Sequence, residues 1–283
     1  MFEGLIDVPG ARLWGWDTGG AGEAIVLCHP RSQSRQIWHS QRAAFAAAGY
    51  RVIAYSRRGT YRSDPVSQTD PGTQAADLAA LLDVRGVGQA HLLGAAAGGI
   101  TATGFAVTHP ERILSLMLAG SIVAPDEDDW RDAFGRLGIR ELRNVVPTAF
   151  LELGPSFRVS DPNRTALFAE REREALQPDP GPTQPLGVHV TWAALESLEN
   201  PVLLLTGEAD LWAPPPLHAL VATHLANVRL ETARHRPRPL LGGTRRIQPH
   251  RPGLPARRRD GGRRDRRHGL IPGARQAALL TVL

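Results

Sequence analysis

The chain has 283 residues, which suits one α/β domain with an insertion or at most two domains, and is long enough to bury a core without covalent staples. Its one cysteine, Cys28, excludes an internal disulfide, and no window holds the roughly 18 apolar residues of a membrane span. The net charge of +5 hides a division, because residues 1–233 hold 19 Arg against 26 acidic residues while residues 234–283 hold 14 Arg against Asp260 and Asp265.

The first residues lack a basic n-region and a long apolar stretch, so a soluble cytoplasmic protein is expected. Residues 23–28 (Glu-Ala-Ile-Val-Leu-Cys) follow a glycine-rich turn and read as a buried strand, with Cys28 a small packed side chain. Residues 37–48 carry apolar positions at helical spacing and stop before Gly49. Residues 50–55 predict a second strand. Residues 73–84 predict a helix, with Thr73 as N-cap and Asp77 in its first turn. A third strand falls at 90–93, a helix at 98–108 and a fourth strand at 113–119. This alternation is the pattern of a mostly parallel sheet covered by helices on both faces. It stops at Ala124. Residues 130–143 and 165–176 are helix-like and 178–185 form a proline-rich connector, so 124–197 reads as a helical lid insertion. The sheet resumes at 202–206, followed by a helix at 216–225 and a strand near 228–231. The expected division is therefore a core of 1–123 and 198–233, a lid of 124–197, and a tail of 234–283 in which arginine, proline and glycine leave too little apolar surface to offset ordering entropy.

Residues 91–99 hold the most information. A buried strand runs into Gly94-Ala95-Ala96-Ala97-Gly98 and then a helix, with the spacing of a Gly-x-Ser-x-Gly nucleophile elbow and Ala96 at the serine position. Small residues at 94, 95, 97 and 98 allow the sharp bend, and the helix N-terminus would aim free N–H groups at whatever stands above it.

Four further segments join the elbow in order. They are Cys28-His29-Pro30, the run 56–65 (Ser-Arg-Arg-Gly-Thr-Tyr-Arg-Ser-Asp-Pro), His109-Pro110-Glu111-Arg112-Ile113, and Thr206-Gly207-Glu208-Ala209-Asp210. Over residues 10–233 the chain resembles the α/β-hydrolase superfamily, in its lid-bearing branch of esterases, lactonases and carbon–carbon bond hydrolases. The resemblance implies a nucleophile at Ala96, an oxyanion hole from the backbone N–H groups of Arg31 and Ala97, a structural His29 beneath that loop, and a carboxylate, Asp210, that orients a histidine. It also implies an acyl-enzyme route on an ester, lactone or vinylogous ketone. His39, His91, His109, His189, His218 and His224 read as ordinary helix, strand and loop residues.

Two departures stand out. Ala96 has no lone pair with which to attack a carbonyl. The family's closing Gly-His segment is replaced by 236–248 (Arg-Pro-Arg-Pro-Leu-Leu-Gly-Gly-Thr-Arg-Arg-Ile-Gln), and His235 is the remaining candidate base. Read one base forward, the codons those residues allow also permit Gly-His-Ala-Pro-Tyr-Trp-Glu-Glu-Pro-x-Glu-Phe-Asn, which resembles the missing ending. A shifted reading frame near 233–236 is the expectation, and the basic tail is then an accident rather than a nucleic-acid arm. No metal cluster, phosphate loop or dinucleotide fingerprint appears, so no cofactor is implied. The expected partner is a small, largely apolar carbonyl compound, and the chain as written is expected to be an impaired hydrolase. The alternatives are a non-catalytic small-molecule-binding protein and a cofactor-free His/Asp lyase.

Overall fold

The computed structural model describes residues 1–143 and 145–233. Eight strands form one sheet: β1 (Phe2–Val8), β2 (Ala11–Asp17), β3 (Ala24–Cys28), β4 (Arg51–Tyr55), β5 (Ala90–Ala95), β6 (Ile113–Ala119), β7 (Val202–Gly207) and β8 (Val228–Ala233). Their spatial order is β1-β2-β4-β3-β5-β6-β7-β8. Pairing is parallel from β4 to β8 and antiparallel at β1–β2 and β2–β4.

The N-terminal hairpin departs from the expected strand–helix alternation. Gly10, at a φ of 75°, turns the chain so that Val8 pairs with Ala11. β1 is an edge strand whose residues alternate between covered and exposed from Phe2 to Val8, so it lacks the continuous apolar run that marks β3 or β5.

The central strands are buried along their whole length because helices cover both faces. On one face Trp38 and Phe45, at the start and within α1 (His39–Ala47), pack with Ile25, Leu27, Val52 and Leu93. On the other, α2 (Gln74–Val84) and α3 (Ala97–Thr108) bring Leu78, Leu81 and Phe105 onto Val26, Leu92 and Leu116. Each of these large side chains contributes about 1.5–3 kcal/mol by leaving water. Thr73 caps α2 as its sequence position predicts, accepting the Ala76 N–H at 3.1 Å.

Between β6 and β7 the chain is helical: α4 (Asp128–Gly135), α5 (Ile139–Leu142), α6 (Thr148–Glu152), α7 (Pro155–Ser160), α8 (Pro162–Ala175) and α9 (Trp192–Glu196). The helix expected over 130–143 is split, because Gly138 takes a left-handed φ of 60°. The proline-rich connector docks on the loop before α2 and on the start of that helix, with Val66 N–H donating to Pro180 O and Gln74 N–H to Pro185 O, both at 2.9 Å. α10 (Pro215–Ala222) joins β7 to β8. No helix of the described residues is long and apolar enough to cross a membrane.

β3 pairs with β4 on one side and with β5 on the other. The chain therefore reverses its direction of strand addition at β3, and the carboxyl ends of β3 and β5 are where open sheets of this kind place their ligands.

Candidate active site

The bend between β5 and α3 stands at those strand ends. Ala96 adopts a φ of 46° and a ψ of −119°, its N–H donates to Ala119 O at 3.0 Å, and α3 begins at the next residue. An alanine with positive φ in this region is strained by about 1–3 kcal/mol and persists only where its surroundings impose it. The glycines explain how. A Cβ on Gly94 would stand 2.4 Å from Gly99 Cα, one on Gly98 2.1 Å from Cys28 O, and one on Gly99 2.1 Å from Ser121 Oγ. The helix start is pressed against the ends of both neighbouring strands, and only residues without side chains fit. Gly99 is required as strictly as the glycines of the motif. Ala97 is the first residue of α3, so its N–H has no partner in the helical ladder.

The loop after β3 runs beside it. His29 is fully buried; its Nδ1 lies 2.7 Å from Pro30 O and its Nε2 accepts the Arg57 N–H at 3.0 Å. A backbone N–H can only donate, so Nε2 is unprotonated and Nδ1 carries the proton. Burial, helped by the Arg57 charge, holds this ring well below the ordinary histidine range. Both nitrogens are engaged and the ring stays neutral. Arg31 is exposed, and the loop turns back at once, with Gln33 N–H donating to Pro30 O at 3.2 Å.

Asp210 follows β7. Its Oδ1 accepts the N–H groups of Trp212 at 2.9 Å and Ala213 at 2.8 Å. Among the described residues no histidine is hydrogen-bonded to it, and His235, expected to be its partner, lies outside them, as does the whole 234–283 tail.

Two groups near Asp210 were not singled out by sequence reasoning. His218, on α10, is fully buried; its Nε2 lies 2.8 Å from Ser121 O and its Nδ1 has no partner among the described residues. Burial lowers its pKa, against the opposing pull of Asp210. Glu152, at the end of α6, accepts the Ser32 hydroxyl at 2.8 Å on Oε2. Burial, with smaller contributions from Glu172 and Asp210, raises its carboxyl to about 7 despite that hydrogen bond. Ser121 thus lies beside both the start of α3 and His218, and Ser32 and Glu152 tie the β3 loop to the helical segment between β6 and β7.

A family model described as the alpha/beta hydrolase fold matches residues 23–142. The chain is 41% identical over 109 residues to a 2-hydroxy-6-oxononadienedioate/2-hydroxy-6-oxononatrienedioate hydrolase of Burkholderia vietnamiensis, a match covering 37% of this chain and 38% of that protein. It is 35% identical over 140 residues to a protein named as the carbamate hydrolase RutD of Variovorax paradoxus, covering 48% of this chain and 51% of that one. The chain thus spans about two-fifths to half the length of these curated relatives. Among solved structures it is similar to an esterase, RhEst1, from Rhodococcus sp. ECU1013, with 25% identity, a TM-score of 0.61, and 81% of this chain and 89% of that one covered.

Proposed function

This chain belongs to the α/β hydrolase superfamily, and on that premise we propose that its site is a serine-hydrolase site whose nucleophile position is occupied by Ala96. The observation that carries the reading is the strained backbone of Ala96 between β5 and α3. A bend that costs free energy and demands three surrounding glycines is what an exposed reactive side chain needs, and a methyl group gains nothing from it.

In this reading the N–H groups of Ala97 and Arg31 stabilise an oxyanion, Asp210 orients a base, and His235 is the candidate for that base. Residues 124–197 act as a lid. The compound bound is a small ester, lactone or vinylogous ketone. The relatives named as a carbon–carbon bond hydrolase, a carbamate hydrolase and an esterase support attack on a carbonyl carbon without selecting among these. Removing a nucleophile of this kind lowers turnover on the order of 10⁶-fold, so the chain as it stands is an impaired hydrolase.

The test is p-nitrophenyl ester turnover by this chain and by Ala96→Ser. A gain of several orders of magnitude on adding the hydroxyl supports the reading. Absence of any gain, together with saturable binding of the ester, favours a binding protein that kept the site and dropped the chemistry; Ala96 itself is the feature that keeps this second reading open. The shifted-frame origin of residues 234–283 is tested by the genomic DNA around codons 230–250, where a single intact frame matching this protein would dispose of it.

A further inference from the structure

Between α4 and α8 the helical segment leaves a run of apolar side chains in water. Val145, in the turn after α5, and Val159, near the end of α7, are 75% and 76% exposed, and Leu142 and Phe150 are exposed with them. The inner side of the same stretch is occupied: Ile139 and Leu151 are buried in the core, and Glu152 accepts the Ser32 hydroxyl. Arg158 links α7 to α6, its Nε donating to Leu153 O at 3.1 Å and its guanidinium lying 4.5 Å from the centre of the Phe150 ring.

Four arginines stand among these side chains: Arg136, Arg140, Arg143 and Arg158. Residues 136–160 hold only two acidic side chains, Glu141 and Glu152, and Glu152 is turned to Ser32. The neighbouring ion pairs fall on either side of this stretch, where Arg131 meets Asp126 and Asp128 and Arg164 meets Asp161. Among the described residues no carboxylate lies within ion-pair distance of the four arginines. The exposed surface is therefore apolar and positively charged at once.

That combination selects its partner. A contiguous exposed apolar surface marks an interaction site, and the charge calls for an anionic occupant. A second copy docked on the same surface would bring the positive charge against itself. Single-stranded nucleic acid needs open aromatic faces, and Phe150 and Phe157 each carry an arginine over the ring. What stays open is aliphatic. Aliphatic side chains set among arginines suit an anionic bilayer, where the apolar groups enter the acyl boundary and the guanidinium groups stay with the phosphates.

We infer that the outer surface from Leu142 to Val159 docks on an anionic lipid bilayer, with Val145 and Val159 entering it and the four arginines meeting its headgroups. No described helix is long and apolar enough to cross a membrane, and lying on one needs no such helix. The inference goes beyond the chemistry proposed at Ala96 and does not rest on it.

The 14 Arg of residues 234–283 also attract anionic lipid, so the test separates the two sources. Flotation of the full chain is measured at about 0.15 M salt with vesicles of phosphatidylcholine alone and of equal parts phosphatidylcholine and phosphatidylglycerol. Partitioning onto the anionic vesicles is expected to be at least about tenfold stronger. Val145→Asp with Val159→Asp is expected to lower it at least about tenfold. Arg136→Gln with Arg143→Gln should lower it by about tenfold or more, each arginine near the surface contributing about fivefold. No flotation of the unaltered chain, equal flotation with both vesicles, or flotation undiminished by the two aspartates overturns the inference, the last outcome assigning the binding to residues 234–283. Loss of self-association or of oligonucleotide binding in the aspartate variant, with flotation unchanged, gives the surface to a second copy or to nucleic acid and overturns it as well. If the aspartate variant does not fold, Val159→Cys labelled with an environment-sensitive fluorophore decides the matter, because Cys28 is buried. A blue shift on anionic vesicles supports the inference, and flotation without one overturns it.

Discussion

The Ser32 hydroxyl and the Glu152 carboxyl, 120 residues apart in sequence, meet at 2.8 Å and tie the loop after β3 to α6. The carboxyl keeps its proton in the folded chain up to about pH 7, whereas in the unfolded chain it loses it near 4.5. Between those values the folded state holds the extra proton. The folded state is therefore favoured most below 4.5, and this contribution is lost as pH rises to about 7. At about 1.4 kcal/mol per unit the change is on the order of 3 kcal/mol. Glu152→Gln keeps a neutral hydrogen-bonding group at the site. It should raise stability at pH 8 and leave it nearly unchanged at pH 4, which urea unfolding at the two pH values measures. An unchanged difference between wild type and variant across that range would contradict the assignment.

Ala96 gives a second expectation. Its φ of 46° with ψ of −119° is a conformation that glycine adopts freely and alanine does not. Ala96→Gly releases that strain while loosening the unfolded chain, and the two effects oppose each other. The entropic loss is about 0.4–1 kcal/mol and the strain about 1–3 kcal/mol, so release wins. The variant should be more stable by about 1 kcal/mol in chemical denaturation. A loss of stability would mean that the backbone at 96 is not held as described.

The parts of the fold legible in the sequence are those set by local pattern. β5 and the bend after it are announced by a buried apolar run meeting Gly94 and Gly98, and α2 by Thr73 followed by apolar positions at helical spacing. β1 and β2 are not announced in this way, because β1 is covered only at alternate residues and β2 is continuously buried only from Gly15. At the candidate site, the turns that hold Ala96 and Asp210 are legible, since each follows a buried strand. Glu152 and His218 are not. Their character comes from what the folded chain places beside them: Ser32 for Glu152 and the Ser121 carbonyl for His218. No local spacing encodes such meetings.

Asp17 illustrates the same point for stability. It is fully buried at the end of β2 and receives Arg51 at 2.6 Å, Arg85 at 2.8 Å and the Gly19 N–H at 2.7 Å. Burial by itself would raise its pKa, but the hydrogen bonds from Arg51, Gly19 and Arg85 outweigh it and bring the carboxyl down to about 2. A lowered folded pKa stabilises the protein above the unfolded value of 3.8, and the contribution is lost as pH falls towards 2. Asp17→Asn leaves Arg51 and Arg85 facing a neutral group and should cost about 2–4 kcal/mol at pH 7. The same substitution should cost little at pH 2. Thermal unfolding of both proteins across pH 2–7 measures this, and a cost independent of pH would contradict it.

Gly98 offers the sharpest steric test. In an ordinary helix, replacing glycine by alanine gains about 1 kcal/mol in propensity. Here the added Cβ would stand 2.1 Å from the Cys28 carbonyl oxygen and 2.7 Å from that of His29, and both are backbone atoms that cannot swing away. Overpacking of this kind costs about 1–3 kcal/mol or more, so the steric term exceeds the propensity gain. Gly98→Ala should therefore lower the melting temperature and displace the loop that carries His29 and Arg31. Gly135, at the end of α4, has nothing within 4 Å of its Cβ position. Gly135→Ala should be neutral or stabilising by up to about 1 kcal/mol. Opposite signs for the two substitutions in thermal unfolding are expected; equal stabilisation would mean that α3 does not press against the end of β3.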